Sequence, residues 1–354
     1  MVDPEPLLAF ACGYAEDGSG GVFSYQFDPT DGSLRPLTRT KFEAAMYAGL
    51  HPSGDYIYTA NRISNDVITA YRVDDTGGLK ALNRQSSEGT DPSYISVDSA
   101  GEYAFVSNYT GGTVAMLPIE GDGRLRPASD VIDHEGSGPN PDRQAQPHPH
   151  SANLGPEEDF LYVPDLGTDR IAIYWIDREG GRLRPAAQPH ATVQPRAGPR
   201  HLDFHPNERF CYVINELDGT IVAFEYDPET GALDRIENVS TLPAEYDGHN
   251  QCAEVQIHPT GNWLYGSNRG HDSIAIFEID QRTGHLDAVD HEPTGGHWPR
   301  HFTLDPSGAH LYAENRRSDS VVAFAVDEDT GRLRQTGQRF ELPEPVCLQF
   351  VVRR

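Results

Sequence analysis

One spacing recurs along the whole chain and limits its fold more than any other feature. A turn pair is followed, ten residues after its first member, by Asn or Asp. His51-Pro52 leads to Asn61, Asp98-Ser99 to Asn108, and Gly155-Pro156 to Asp165. His205-Pro206 leads to Asn215, His258-Pro259 to Asn268, and Asp305-Pro306 to Asn315. Successive units are 47 to 57 residues long, which suits one blade of a β-propeller and exceeds the shorter helical repeats.

Each unit reads as four strands. Around residue 200 these are Arg200–Phe204, Phe210–Asn215, Ile221–Tyr226 and Leu233–Val239, rich in β-branched and aromatic residues. A turn of the form Asp-x-x-Thr-Gly, or a close variant of it, follows the third strand at Asp28, Asp74, Asp227, Asp280 and Asp327. No window longer than a turn shows helical period. The ends supply a seventh unit. Leu7–Cys12, Gly21–Phe27 and the run from Leu34 read as its second, third and fourth strands, and Pro345–Phe350 matches the first. The expectation is a single all-β domain over residues 1–354, a seven-bladed β-propeller of four-stranded blades with no helical lid. Its ring would be closed by a C-terminal inner strand, which removes an open sheet edge.

Composition narrows the partners. There are 28 Lys+Arg against 54 Asp+Glu, a formal net charge of −26. That disfavours nucleic acid and anionic membrane surfaces, both of which need a basic face. Lys41 and Lys80 are the only lysines. A chain so poor in Lys and rich in acid fits a halophilic cytoplasm, where salt screens self-repulsion. No apolar stretch approaches a membrane span, and the acidic start, residues 1–6, lacks the basic region of a signal peptide. A cytoplasmic location is therefore expected. Cys12, Cys211, Cys252 and Cys347 form no C-x-x-C pair, so free thiols are expected. The sequence is silent on oligomeric state.

In a propeller the start of each first strand and the end of each second strand reach one mouth of the central channel. The first position holds Met46, Ser93, His150, Arg200, Ala253, Arg300 and Val346; the next holds Tyr47, Tyr94, Ser151, His201, Glu254, His301 and Cys347. After the Asn/Asp series come Arg62, Tyr109, Leu166, Glu216, Arg269 and Arg316. Ionisable groups concentrate from His150 to Arg316, and arginine dominates them. A basic pocket in an acidic protein points to a small anionic ligand held by guanidinium forks. The His-Pro residues His205 and His258 read as structural, and the Asn/Asp series as turn chemistry. Residues 136–141 form a loop able to overhang the mouth. His148, His150, His201 and Glu216 carry metal-ligating groups, but nearby arginines repel a cation, so neither metal nor cofactor is expected.

These residues carry a resemblance. Pro147-His-Pro-His150-Ser-Ala, Gly198-Pro-Arg200-His201, Tyr212-x-x-Asn215-Glu216-Leu, Ala253-Glu254-Val, Ser267-Asn268-Arg269-Gly and Pro299-Arg300-His301-Phe resemble the motifs of the seven-bladed propeller lactonases. That family includes propeller-type 6-phosphogluconolactonase and 3-carboxy-cis,cis-muconate lactonising enzyme. The resemblance implies a catalytic set of His150 (ahead of His148), Arg200, Glu216 and Arg269. His148, His201, Glu254, Arg300, His301 and Arg316 are expected to bind substrate. The implied reaction is metal-independent hydrolysis of an anionic sugar lactone, 6-phosphogluconolactone first. A muconate-type cyclisation and a non-catalytic binding scaffold are the alternatives.

Overall fold

A computed structural model describes residues 7–15, 17–41, 44–62 and 66–351. The acidic segment 1–6, on which the reading of the N-terminus turned, lies outside the described residues. Seven antiparallel four-stranded sheets form a ring. Blade I takes its inner strand Pro345–Phe350 from the far end of the chain and continues with Leu7–Gly13, Gly21–Asp28 and Ser33–Lys41. Blade II is Ala45–Leu50, Tyr56–Asn61, Val67–Val73 and Leu79–Ser86; blade III is Pro92–Val97, Tyr103–Asn108, Thr113–Pro118 and Asp130–Asp133. Blade IV is Asn153–Leu154, Phe160–Asp165, Arg170–Asp177 and Arg182–Thr192; blade V is Pro199–Phe204, Phe210–Asn215, Thr220–Tyr226 and Leu233–Ser240. Blade VI is Gln251–Ile257, Trp263–Arg269, Ser273–Ile279 and Leu286–Pro293; blade VII is Pro299–Leu304, His310–Asn315, Ser320–Val326 and Leu333–Glu341. Among the described residues the sole helical element is a single 3₁₀ turn, Arg316–Ser318.

Burial follows distance from the axis. Second strands such as Phe210–Asn215 and His310–Asn315 are buried throughout, because each is sandwiched between neighbouring blades. Fourth strands alternate half-buried and exposed positions, as in Leu333–Glu341. Apolar side chains fill the gaps between blades: Tyr162 and Ile173 of blade IV pack with Val213 and Phe224 of blade V.

A repeated hydrogen bond locks the blades in order. The tyrosine at the third position of a second strand donates to a glycine carbonyl in the third-to-fourth-strand turn of the next blade. The pairs are Tyr58–Gly123 (3.1 Å), Tyr162–Gly231 (2.8 Å), Tyr212–Gly284 (3.1 Å), Tyr265–Gly331 (2.9 Å) and Tyr312–Gly32 (2.6 Å). The last of these crosses the seam between the chain's two ends. Glycine is required in these turns. Gly331 has φ +67°, and a Cβ there would lie 2.5 Å from the Trp263 ring. The His-Pro histidines work alongside: His205 Nε2 lies 2.8 Å from the Gly261 carbonyl, and His258 Nε2 3.1 Å from that of Gly308.

The Asn series departs from the expected turn chemistry. Asn108, Asn268 and Asn315 are fully buried strand ends. Their Nδ2 groups donate to the carbonyls of Ser87, Thr241 and Thr294, the residues that leave the preceding fourth strand. Each amide thus satisfies a buried carbonyl where one blade passes to the next.

Six inner strands carry one extra residue against their partners. The register skips Met46, Ser93, Arg200 and Arg300, one residue within Ala253–Glu254, and Val346. In blade IV the inner strand is interrupted: Pro149 bridges to Asp165, and pairing resumes at Asn153. A bulge re-aims its side chain, so successive residues at these sites both face the axis, at different depths.

The inter-blade tyrosines allow a direct test. Tyr265→Phe should lower the unfolding free energy by about 1–2 kcal/mol, because the buried Gly331 carbonyl loses its donor. Denaturant unfolding measures this, and an unchanged midpoint would show that the hydroxyl does not couple the blades.

Candidate active site

The site lies at the mouth where first strands begin and second strands end. A cavity of about 300 Å³ is lined by His150, Glu216, Arg269, Arg300, Arg316 and Arg317, with Arg62, Tyr109, Arg143 and Trp298 among the remaining residues. At its floor is a carboxylate bound by three guanidiniums. Glu216 Oε2 accepts from Arg269 at 2.7 Å and lies 3.3 Å from Arg200 Nε, while Oε1 accepts from Arg143 at 2.6 Å. Burial works to raise the Glu216 pKa. The guanidiniums of Arg269, Arg200 and Arg143 override it and hold the carboxyl far below the usual carboxylate range. Glu216 is therefore a fixed anion and not a proton donor.

Local structure explains the placement. Glu216 follows the second strand of blade V, and its backbone N–H bonds the Gly198 carbonyl at 2.7 Å. Arg200 is the bulged residue of that blade; it is 2 % exposed, and its Nη1 donates to the Ala253 carbonyl at 2.5 Å. Burial, then repulsion from Arg269, pushes its pKa down to about 10. Arg269 ends the second strand of blade VI and also donates to the carbonyls of Gln251 and Cys252. Arg143 comes from the long loop after blade III. Buried Gln144 folds that loop by donating to the Leu166 carbonyl and to Asp169 Oδ1, which leaves Arg143 to reach Tyr109 and Glu216.

His150 sits in the break of blade IV's inner strand. Its ring meets Tyr109 edge-on at 5.3 Å and His201 at 5.2 Å, and its Nδ1 is sealed from solvent with no hydrogen-bond partner among the described residues. Burial, then Arg200, Arg300 and Arg269, holds its pKa well below that of a free imidazole. It is neutral at pH 7 and can accept a proton. An anion bound among those arginines would offset their field and make it a stronger base.

The other cations divide into paired and unpaired. Arg62 pairs with Asp91 at 3.1 Å and Arg316 with Glu344 at 2.7 Å. Arg317 lies 3.6 Å from the centroid of the Trp298 ring. Trp298 itself has φ +66°, costly for a bulky residue and held by its N–H bond to Asp272. It occupies the position of Gly198 in blade V. Among the described residues no carboxylate pairs with Arg300. Burial and the charges of Arg200, Arg269 and Arg316 all disfavour its cationic form.

The structure brings His150, Arg200, Glu216, Arg269, Arg300 and Arg316 together, with Arg200 beneath the cavity wall. It places the other expected residues elsewhere. His148 stacks on Tyr109 at 4.5 Å and its Nδ1 lies 2.8 Å from the Tyr109 carbonyl, so it braces the wall from behind. His201, Glu254 and His301 lie deeper along the channel, bonded to one another. Depth is the physical reason: each follows the bulge position and falls on the lower tier. Arg143 and Trp298 were not anticipated. The loop at 136–141 marked the right place, two residues short of Arg143. Trp298 gave only its position before Pro299-Arg300.

Glu216→Gln tests the charge balance. Leaving the buried guanidiniums of Arg200 and Arg269, and half-buried Arg143, without their anion should cost about 3–5 kcal/mol at pH 7. The depressed pKa means that Glu216 contributes stability above its unfolded pKa of about 4.3, and this is lost as pH falls. The gap between variant and parent should therefore narrow below about pH 4. A variant as stable as the parent at pH 7 would remove Glu216 from its structural role.

Comparisons with known proteins bear on the family and the fold. Residues 9–350 match the family model described as lactonase, 7-bladed beta-propeller. The chain is 33 % identical over 341 residues to a 6-phosphogluconolactonase of Bacillus subtilis strain 168, covering 96 % of each. It is 32 % identical over 293 residues to a 6-phosphogluconolactonase of Formosa agariphila, covering 80 % of this chain and 82 % of that one. The solved structure of a periplasmic gluconolactonase from Pseudomonas aeruginosa superposes with a TM-score of 0.92 at 30 % identity, over 98 % of this chain and 99 % of that one. With the ring of seven blades, its closure by residues 345–350 and a match along almost all of its length, the chain belongs to the seven-bladed β-propeller lactonase family.

Proposed function

We propose that this lactone hydrolase acts on an anionic sugar lactone, with 6-phosphogluconolactone the first substrate to test, and that it needs no bound metal. The observation that carries the reading is Arg300. A cavity-facing guanidinium with no carboxylate partner among the described residues, crowded by Arg200, Arg269 and Arg316, is relieved by an anionic ligand. The same ring of guanidiniums repels a metal cation. The names of the relatives from Bacillus subtilis and Formosa agariphila support the phosphorylated substrate.

In this mechanism neutral His150 takes a proton from water as the water attacks the lactone carbonyl. The oxyanion develops beside Arg269 or Arg300; one such donor is worth roughly 3–4 kcal/mol. The imidazolium then returns its proton to the departing ring oxygen, which regenerates neutral His150 and opens the lactone to the hydroxy acid. Glu216 keeps Arg200 and Arg269 fixed throughout. Arg316 and Arg317, at the cavity's edge, hold the distal phosphate.

Freshly generated 6-phosphogluconolactone should be turned over in molar KCl with EDTA present, and the product should be heavier by one water. His150→Ala should lower kcat by about 10²-fold or more and change KM less. Full activity in that variant would overturn the assignment of the base. An isomerised product without added water would replace hydrolysis by ring rearrangement.

A further inference from the structure

Below the cavity four ionisable side chains form a buried chain that the mechanism above leaves unused. His201 Nδ1 lies 2.9 Å from Glu254 Oε2, and the same oxygen lies 3.1 Å from His301 Nε2. His301 Nδ1 is 2.6 Å from Glu314 Oε2. All four residues are at most 5 % exposed. At the upper end, His201 Nε2 is a second sealed nitrogen without a partner among the described residues, like Nδ1 of His150, and the two rings meet edge-on 5.2 Å apart. Two orphaned nitrogens on adjacent buried rings are rare in a folded protein. A turn of the two rings toward each other would pair these nitrogens, directly or through one water.

We propose that Glu254 and His201 are positioning residues that set the tautomer of His150. The Glu254 carboxylate accepts the Nδ1 proton of His201, so His201 Nε2 is bare and accepts the Nδ1 proton of His150. That leaves Nε2 of His150 unprotonated and facing the cavity. A catalytic base is commonly oriented by a third group through its second nitrogen, and this chain has one extra imidazole between them. The far end is consistent. Burial holds Glu314 well above the carboxylate range, so it is protonated and donates to His301 Nδ1. His301 Nε2–H then donates to Glu254, which accepts from both sides.

The direction of the chain depends on Glu254 being ionised. Its carboxyl faces His201, His301, Arg200, Tyr47 and Tyr94, with Glu314 beyond His301. Burial raises its pKa to about 7, against the pull of His301 and Arg200. Protonation turns the acceptor into a donor and removes the constraint on His150. The acid limb of kcat should therefore lie near pH 7. His150 acting alone would place it well below 6.5, since its own pKa is depressed.

The inference rests on His150 being the base, and its test has a readout that needs no substrate. In the full-length protein labelled with ¹⁵N-histidine, resonances assigned by single His substitutions should show Nδ1–H tautomers for His150 and His201, and Nε2–H for His301. An Nε2–H tautomer on His150 overturns the proposal whether or not any lactone is hydrolysed. Failure to hydrolyse lactones, with the tautomers as stated, would overturn the proposed function alone. With an active substrate, Glu254→Gln should lower kcat by about 10- to 100-fold, leave KM within about twofold, and move the acid limb below 6.5. A folded Glu254→Gln protein with the parent's kcat and acid limb would equally sink it. If that variant does not fold, the tautomers of the parent protein decide.

Discussion

The centre of this propeller depends on one extra residue per inner strand. In a regular strand alternate side chains face opposite sides, so Arg200 and His201, or Arg300 and His301, could not both address the axis. The bulges at Met46, Ser93, Arg200 and Arg300 break that alternation. They create two tiers. The upper one holds Arg300 and His150 at the cavity, with Arg200 just beneath its wall. The lower one holds Tyr47, Tyr94, His201, Glu254 and His301 in contact across the channel. Residues at the cavity and the buried chain beneath it thus come from adjacent positions of the same strands.

This two-tier arrangement explains what could be read from the chain and what could not. The constant ten-residue spacing reflects a fixed geometry: an inner strand's end, a tight turn and a full second strand. It therefore identified the blades, and the match of Pro345–Phe350 to other inner strands identified the closure. The convergence of His150, Arg200, Glu216 and Arg269 followed from register alone. Depth did not, because a bulge is invisible in a residue count. His201, Glu254 and His301 were consequently placed at the mouth with their neighbours. Arg143 was out of reach for another reason: it lies in a loop peculiar to one blade, and only the fold around Gln144 aims it at Glu216. The Asn series misled because Asn is common in turns; here its amide is spent on a buried carbonyl between blades.

Electrostatics run in opposite directions inside and out. The whole chain carries −26, yet arginines outnumber carboxylates in the cavity lining. An approaching anion meets a repulsive long-range field and then an attractive short-range one. Salt screens the first within a Debye length of about 8 Å at physiological strength and about 3 Å at 1 M. The buried ion pairs around Glu216 are screened far less. High salt therefore opens the approach while leaving the site's own charge balance in place.

Ring closure by residues 345–350 sets the order in which the molecule can be completed. The strand Leu7–Gly13 is made about 330 residues ahead of its inner neighbour Pro345–Phe350. At ribosomal rates of about 5–20 residues per second, that early strand waits roughly 20 to 70 s for its partner. During this interval an apolar edge, Leu-Leu-Ala-Phe-Ala-Cys, stands unpaired on a nascent chain. Blades II to VII can form in sequence behind it, with tyrosine bonds joining II to III and each of IV, V and VI to the blade after it. The circle, however, cannot close until residues 345–350 have been made, and the vulnerability of this protein to misassembly is concentrated at that seam.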